Sequence, residues 1–196
     1  MPEKINTENI TLNGSNVLLR KLTVQHVSQE YVNWLNDKEV TEFLEVRHIQ
    51  QTLGSITEFI SEIANDGSRY MFAIYSKDSN QHIGNGSVLM INHIHQTFDI
   101  GYLIGNKTFW GTSAGYETCL LLLSFAFDTL NLRKCFSGVY SNHVMSRFMM
   151  RKIGFIHEAT LKDHLLFNGK SVDEIYYGMD KVLWNNIKNK NKEMLS

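Results

Sequence analysis

The segment Trp110-Gly111-Thr112-Ser113-Ala114-Gly115-Tyr116 leads directly into Glu117-Thr118-Cys119-Leu120-Leu121-Leu122-Leu123-Ser124-Phe125-Ala126-Phe127. No other stretch restricts the fold as much, because small residues crowd a turn that opens into a strongly apolar helix. Several backbone N–H groups can then converge at the helix start with no side chains blocking approach, a geometry that suits a phosphate. Gly111 and Gly115 are expected to supply positive φ and close ligand approach. Thr112 and Ser113 are expected to cap the helix and add hydroxyl donors. A glycine-rich turn alone also serves merely to join a strand to a helix, so the downstream sequence decides between the two.

The chain has 196 residues, enough for one domain with a substantial core and short of two ordinary ones. The expected organisation is a single domain over 1–196, with an ordered core over about 10–185 and a polar tail over 186–196. No apolar run reaches the roughly 18 residues of a membrane span. The first twenty residues lack the apolar core of a secretory signal, so a soluble, cytoplasmic protein with no membrane partner is expected. Nineteen Lys and Arg face twenty Asp and Glu, a balance that argues against general attraction to nucleic acid. Cys119 and Cys135 read as buried free thiols. No zinc spacing is present, and His93-x-His95 lacks a third ligand at recognisable spacing, so no metal is expected.

Apolar periodicity orders the rest. Val17 to Leu22 reads as a strand. Helices are predicted over Thr23–Trp34 and over about Thr52–Ala64, the second stopped by Asn65-Asp66-Gly67. Strands over Tyr70–Tyr75, His82–Ile91 and Thr97–Ile104 form an antiparallel meander. After the apolar helix come a strand over Lys134–Tyr140, a helix from about His143 to Lys152 closed at Gly154, and a hairpin from Phe155 through Asn168-Gly169 to Trp184. The order is mixed α/β. The Asn- and Lys-rich stretch from Asn185 to Lys192 reads as a frayed, solvated end.

Three segments in this order resemble the GNAT superfamily of acyl-CoA-dependent N-acyltransferases, in particular its ribosomal-protein N-terminal acetyltransferase branch. Asp99-Ile100-Gly101-Tyr102-Leu103-Ile104 is similar to the family's fourth strand, and Phe109-Trp110-Gly111 through Thr118 to its pyrophosphate loop and helix. Ser141-Asn142-His143-Val144-Met145-Ser146, continuing to Lys152-Ile153-Gly154-Phe155, resembles its Asn-x-x-Ser and Lys-x-Gly-Phe signature. The resemblance implies a GNAT-like α/β fold: a central, mostly antiparallel twisted sheet with a splayed strand pair, flanked by helices. It further implies acetyl-CoA as acyl donor, direct transfer to a primary amine in a ternary complex, and a homodimer. Tyr176, Tyr177 and Trp184 offer either a dimer surface or ordinary core packing.

The same resemblance assigns roles. A bulge in the fourth strand would part it from the fifth, and the pantetheine arm would pair with Tyr102, Leu103 and Ile104. The pyrophosphate would meet the amides around Trp110, Gly111, Thr112, Ser113, Ala114, Gly115 and Tyr116. The chain departs from the family pattern at Thr108, where Gln or Arg is usual, and at Ser113, where Gly or Ala is usual. Asn142 reads equally as a cofactor contact or a helix N-cap. Ser146 would sit near the thioester sulfur as a proton donor, or else simply face solvent. Asp99 would act as general base, often through water; otherwise it is an exposed strand carboxylate. The amide of Leu103 or a neighbour would hold the developing oxyanion. Glu45 and Arg47 fall where such enzymes line the acceptor pocket, Arg47 facing an acceptor phosphate; the bland reading is a solvated charged loop.

Trp34-Leu35-Asn36-Asp37 and the residues to Arg47 resemble acetyltransferases of bacterial surface-sugar pathways. The acceptor slightly preferred on this basis is an amino group on a nucleotide-linked sugar, with a protein N-terminus as the close alternative. A catalytically silent CoA-binding module is the rival of another class.

Overall fold

The structure, a computed structural model, describes residues 10–64 and 66–195. Asn65 of the predicted helix stop, residues 1–9 and Ser196 lie outside the described residues.

Strands β1 (Thr11–Asn13), β2 (Val17–Lys21), β3 (Tyr70–Ser76), β4 (His82–Asn92), β5 (Thr97–Ile104), β6 (Lys134–Tyr140), β7 (Ile156–Phe167) and β8 (Lys170–Asp180) form one eight-stranded sheet. Their order is β1-β2-β3-β4-β5-β6-β8-β7. Every neighbouring pair is antiparallel except β5 and β6. A mixed α/β, mostly antiparallel sheet flanked by helices is the expected class. Because β8 inserts between β6 and β7, β6 is fully paired on one side, from Lys134↔Asp180 to Tyr140↔Glu174.

Helix α1 (Gln29–Asn36) and α2 (Leu53–Ile63) cover one face; α3 (Ala114–Ser124), α4 (Val144–Ile153) and α5 (Lys181–Lys190) cover the other. Alternation along the strands sorts the two cores. Phe72 and Ile74 of β3 pack with α3, while Ala73 between them joins Tyr31, Trp34, Ile56 and Ile60 on the opposite face. Nine of the eleven residues of α3 are buried, as a helix apolar on all sides requires. Both cysteines are buried free thiols.

One polar residue of α3 organises the neighbouring turn. Glu117 is fully buried, and its carboxylate accepts from the Asn16 N–H (2.8 Å), Asn16 Nδ2 (2.9 Å) and the Val17 N–H (3.2 Å). Gly14 stands where a Cβ would strike this carboxylate, so the turn before β2 fits around it.

Three expectations are corrected. The helix predicted over Thr23–Trp34 is a 3-10 turn at Val24–His26, then a break, then α1. The cause is Ser28, whose hydroxyl accepts from the Tyr31 N–H at 3.2 Å and starts a new helix. The last strand ends at Asp180, four residues before Trp184, because the Asp180 carboxylate accepts from Leu183 N (2.8 Å) and caps α5. The frayed tail is therefore helix: Trp184 and Ile187 are buried, and Met194 and Leu195 pack on the core. Of the three aromatics named above, Tyr177 and Trp184 are buried in the core, whereas Tyr176 is half-buried. The strand β1 and the π-helical turn Phe125–Thr129 were not anticipated.

Candidate active site

The sheet opens at one seam. Strands β5 and β6 pair only at Thr97↔Lys134 and Phe98↔Cys135, near their N-terminal ends, and then part. Their C-terminal ends lead respectively into α3 and α4, so both helix starts stand at the mouth, the usual ligand position in parallel units. The expected bulge within residues 99–104 is absent. Pairing of β5 with β4 runs without interruption from Gly84↔Ile104 to Leu89↔Asp99, and the irregularity lies beyond it, between Leu89 and Asn92, where Met90 has φ of 51°.

The direction of each backbone group follows from alternation in the ladder. Gly105 N–H donates to Ile83 in β4, and the Gln96 carbonyl accepts from Lys134 N–H in β6. Between these fixed ends, the backbone groups of Ile100, Tyr102 and Ile104 turn towards the opening, and those of Leu103 turn towards β4. Of the amides expected to meet the oxyanion, Leu103 or a neighbour, that of Leu103 faces β4 and those of Tyr102 and Ile104 face the opening. The Ile104 carbonyl already accepts from Trp110 Nε1 at 2.7 Å, which fixes the half-exposed indole at the mouth. Ile100 N–H is taken at 2.6 Å by the Asp99 carboxylate.

At the start of α3, Gly111 has φ of 76°, as a turn with converging amides requires. Among the described residues, the N–H groups of Gly111, Ser113, Gly115 and Tyr116 have no acceptor. Glu117 N–H is the first satisfied within the helix, by the Ser113 carbonyl at 2.9 Å. Two details differ from expectation. Thr112 supplies a weak cap, accepting from Ala114 N–H at 3.3 Å, whereas Ser113 makes no side-chain cap. Gly115 is helical, and its small size serves packing: a Cβ there would lie 2.9 Å from Cε2 of Tyr102. Burial under α3 pushes the Tyr102 phenol well above its ordinary range.

Asn142 is exposed and is not the N-cap; His143 holds that position without a side-chain cap bond. The half-buried Ser146 follows on the first turn of α4. Asp99 is not an exposed strand carboxylate. It is half-buried, accepts a hydrogen bond from Ser137 Oγ in β6 across the opening, and is raised to about 6, chiefly by burial. Ser137, 2% exposed in the structure, escaped the sequence reading; its alternation with Cys135 and Val139 along the strand marks an inward position but not its partner.

On the face away from α3, Tyr140, Glu174 and Tyr176 lie together on β6 and β8. The segment after α1 docks there through Phe43, whose ring is stacked between His143 (centroids 4.0 Å) and Phe167 (5.0 Å). Glu45 Oε1 accepts from the Tyr140 hydroxyl at 2.6 Å. Arg47 is committed inward: it donates to the Glu42 and Leu44 carbonyls and the Tyr140 hydroxyl, and lies over the Tyr140 and Phe167 rings. Glu45 is exposed but hydrogen-bonded to Tyr140, and the half-buried Arg47 is occupied where an acceptor phosphate was expected. His93 and His95 are exposed in a turn, and no group of three His, Cys, Asp or Glu suited to a metal occurs among the described residues. Burial raises the Cys119 thiol to about 12, which makes it a poor nucleophile. Among the described residues no helix is long and apolar enough to cross a membrane.

Comparison with known proteins agrees with this architecture. The family profile described as acetyltransferase (GNAT) domain matches residues 16–156. An uncharacterized N-acetyltransferase, p20 of Bacillus licheniformis, is 24% identical over 174 residues, covering 87% of this chain and 96% of that protein. The [ribosomal protein uS5]-alanine N-acetyltransferase of Escherichia coli is 25% identical over 138 residues, covering 69% of this chain and 68% of its own length. Among solved structures, spermidine N-acetyltransferase from Vibrio cholerae in complex with CoA and spermine superposes with a TM-score of 0.79 at 18% identity, covering 87% of this chain and 99% of that one.

Proposed function

The chain belongs to the GNAT acetyltransferases, and on that premise we propose that it acts as a single domain moving an acetyl group from acetyl-CoA to a primary amine by direct attack. The observation that carries this reading is the parted seam between β5 and β6, with unpaired backbone on one wall and the acceptor-free amides of 111–116 at its mouth. The arm of the donor lies along Tyr102 and Ile104, with its phosphates at the start of α3 and Asn142 on the facing side.

The chemistry is then assigned as follows. An ammonium has no lone pair, so Asp99, directly or through a water, accepts the proton that frees the attacking nitrogen. As nitrogen bonds to the carbonyl carbon, the oxygen gains charge and receives a hydrogen bond from the Tyr102 or Ile104 amide. The carbon–sulfur bond breaks as Ser146 hands a proton to the departing thiolate, and the serine regains one, directly or through water, from the nitrogen, which sheds its second proton to become the amide.

For the acceptor, a cationic amine fits best. Asp99 and Glu174 place negative charge at the seam with no lysine or arginine paired to either among the described residues, while Arg47, the residue expected to meet a phosphate of a nucleotide-linked sugar, is already occupied. Both an alanine amine of a ribosomal protein, named for the Escherichia coli relative, and a polyamine, named for the Vibrio cholerae structure, offer such a group. Incubating the protein with acetyl-CoA and a panel of polyamines, N-terminal peptides and amino-sugar nucleotides, and following free CoA, tests the reading. Release with cationic amines is expected; release only with sugar nucleotides overturns the acceptor class, and no release with any amine overturns the transferase role.

A further inference from the structure

We propose that Ser137 and Glu174 are positioning residues that set the orientation and proton affinity of Asp99, an inference that rests on Asp99 being the general base.

The geometry at the seam is specific. Ser137 is the second residue of β6 beyond the last paired position, so its side chain is among the first to cross the gap that opens there. Its hydroxyl donates to Asp99 Oδ1, the same oxygen that accepts the Ile100 N–H. Two donors from different directions hold one carboxylate oxygen and fix the torsion of the group. Oδ2 takes no hydrogen bond among the described residues, so one oxygen is clamped while the other remains free to accept a proton.

Glu174 works from the other side. Its carboxylate lies over Gly138, where a Cβ would collide with Oε1, and the absence of a side chain at 138 admits the glutamate towards the seam. Its ion-pair partner is His164 Nε2 at 3.4 Å, on the outer edge strand. The groups facing this pair are Cys135, Ser137 and Tyr140 from β6, Tyr176 from β8 and His164 from β7. None of these is a permanent cation. Burial is the main force that raises Asp99; the Ser137 hydrogen bond, with that of Ile100, opposes it by favouring the ionised form, and the Glu174 charge adds to it. The two side chains thus trim in opposite directions a proton affinity that burial has raised to about 6.

The test is the acid limb of kcat/KM against pH, read beside the 13C carboxyl titration of Asp99 in the free protein, which needs no acceptor. Glu174→Gln is expected to move both downwards and Ser137→Ala to move both upwards, each by about one pH unit, with Ser137→Thr restoring the wild-type value. Opposite displacements do not arise from general loosening of the sheet. If the two substitutions leave the Asp99 titration in place, the inference is overturned even where Asp99→Asn abolishes turnover. If Asp99→Asn turns over at the wild-type rate, the base assignment fails and the inference fails with it. Should Ser137→Ala not fold, the Glu174→Gln titration alone decides.

Discussion

The strand β5 has two seams, and they have opposite fates. Towards β4 it pairs over six consecutive positions; towards β6 it pairs at two and then leaves its backbone open. Both sides carry apolar side chains packed under the same helix, so hydrophobic burial does not distinguish them. What differs is what is anchored behind each. On the closed side Glu117 locks α3 to the turn before β2, and on the open side β8 completes the pairing of β6 and holds it away. Backbone groups that leave a ladder must be met by side chains, water or a ligand; at this seam the Asp99 carboxylate takes the Ile100 N–H and the rest face the opening.

The strongest way to break this contrast is at the closed side. Glu117→Ala strips acceptors from three donors around Asn16 and Val17, at about 1–3 kcal/mol for each buried group left unmade. A loss of about 4 kcal/mol is expected, read as a fall in the denaturant midpoint. An unchanged midpoint would show that the turn holds without α3.

At the open side, Asp99→Asn is expected to lower kcat/KM at least about a hundredfold. For the wild type, the acid limb falls near pH 6, where Asp99 titrates. The same substitution stabilises the protein. The folded carboxyl is raised to about 6 from its ordinary 3.8, so stability declines as pH rises through that window and the ionised group opposes folding above it. The difference corresponds to about 3 kcal/mol. The melting temperature of the variant should therefore exceed that of the wild type at pH 8 and converge with it below pH 4.

Smaller effects sharpen the picture at the mouth. Gly115→Ala forces a methyl group against Tyr102 at 2.9 Å, and a cost of about 1–2 kcal/mol is expected from overpacking, with weaker CoA binding by calorimetry. Trp110→Phe removes one hydrogen bond to Ile104, worth about 1 kcal/mol; it should weaken CoA binding severalfold without altering the pH limb.

The strands, the apolar helix and the turn at Gly111 were legible because each rests on local pattern: alternation, a leucine run, small residues at a helix start. The positions where reading failed depend on contacts between distant segments. The Asn- and Lys-rich end looks solvated until Trp184 and Ile187, three apart on one helix face, are seen against the core. Gly115 looks like a loop glycine until Tyr102 packs on it. The resemblance identified Asp99, yet nothing adjacent in sequence announces Ser137 or Glu174, which come from other strands. Leu103 and Tyr102 are alike to any pattern; the ladder alone decides which amide faces the opening.

The Tyr116 hydroxyl donates to Asn191 Oδ1 at 2.9 Å, and the Lys152 ammonium lies over the Tyr116 ring at 4.9 Å. The segment after α5 and the last turn of α4 thus brace Tyr116 from two sides, so a substitution at Asn191 is felt at the first turn of α3, where the donor's phosphates are proposed to sit.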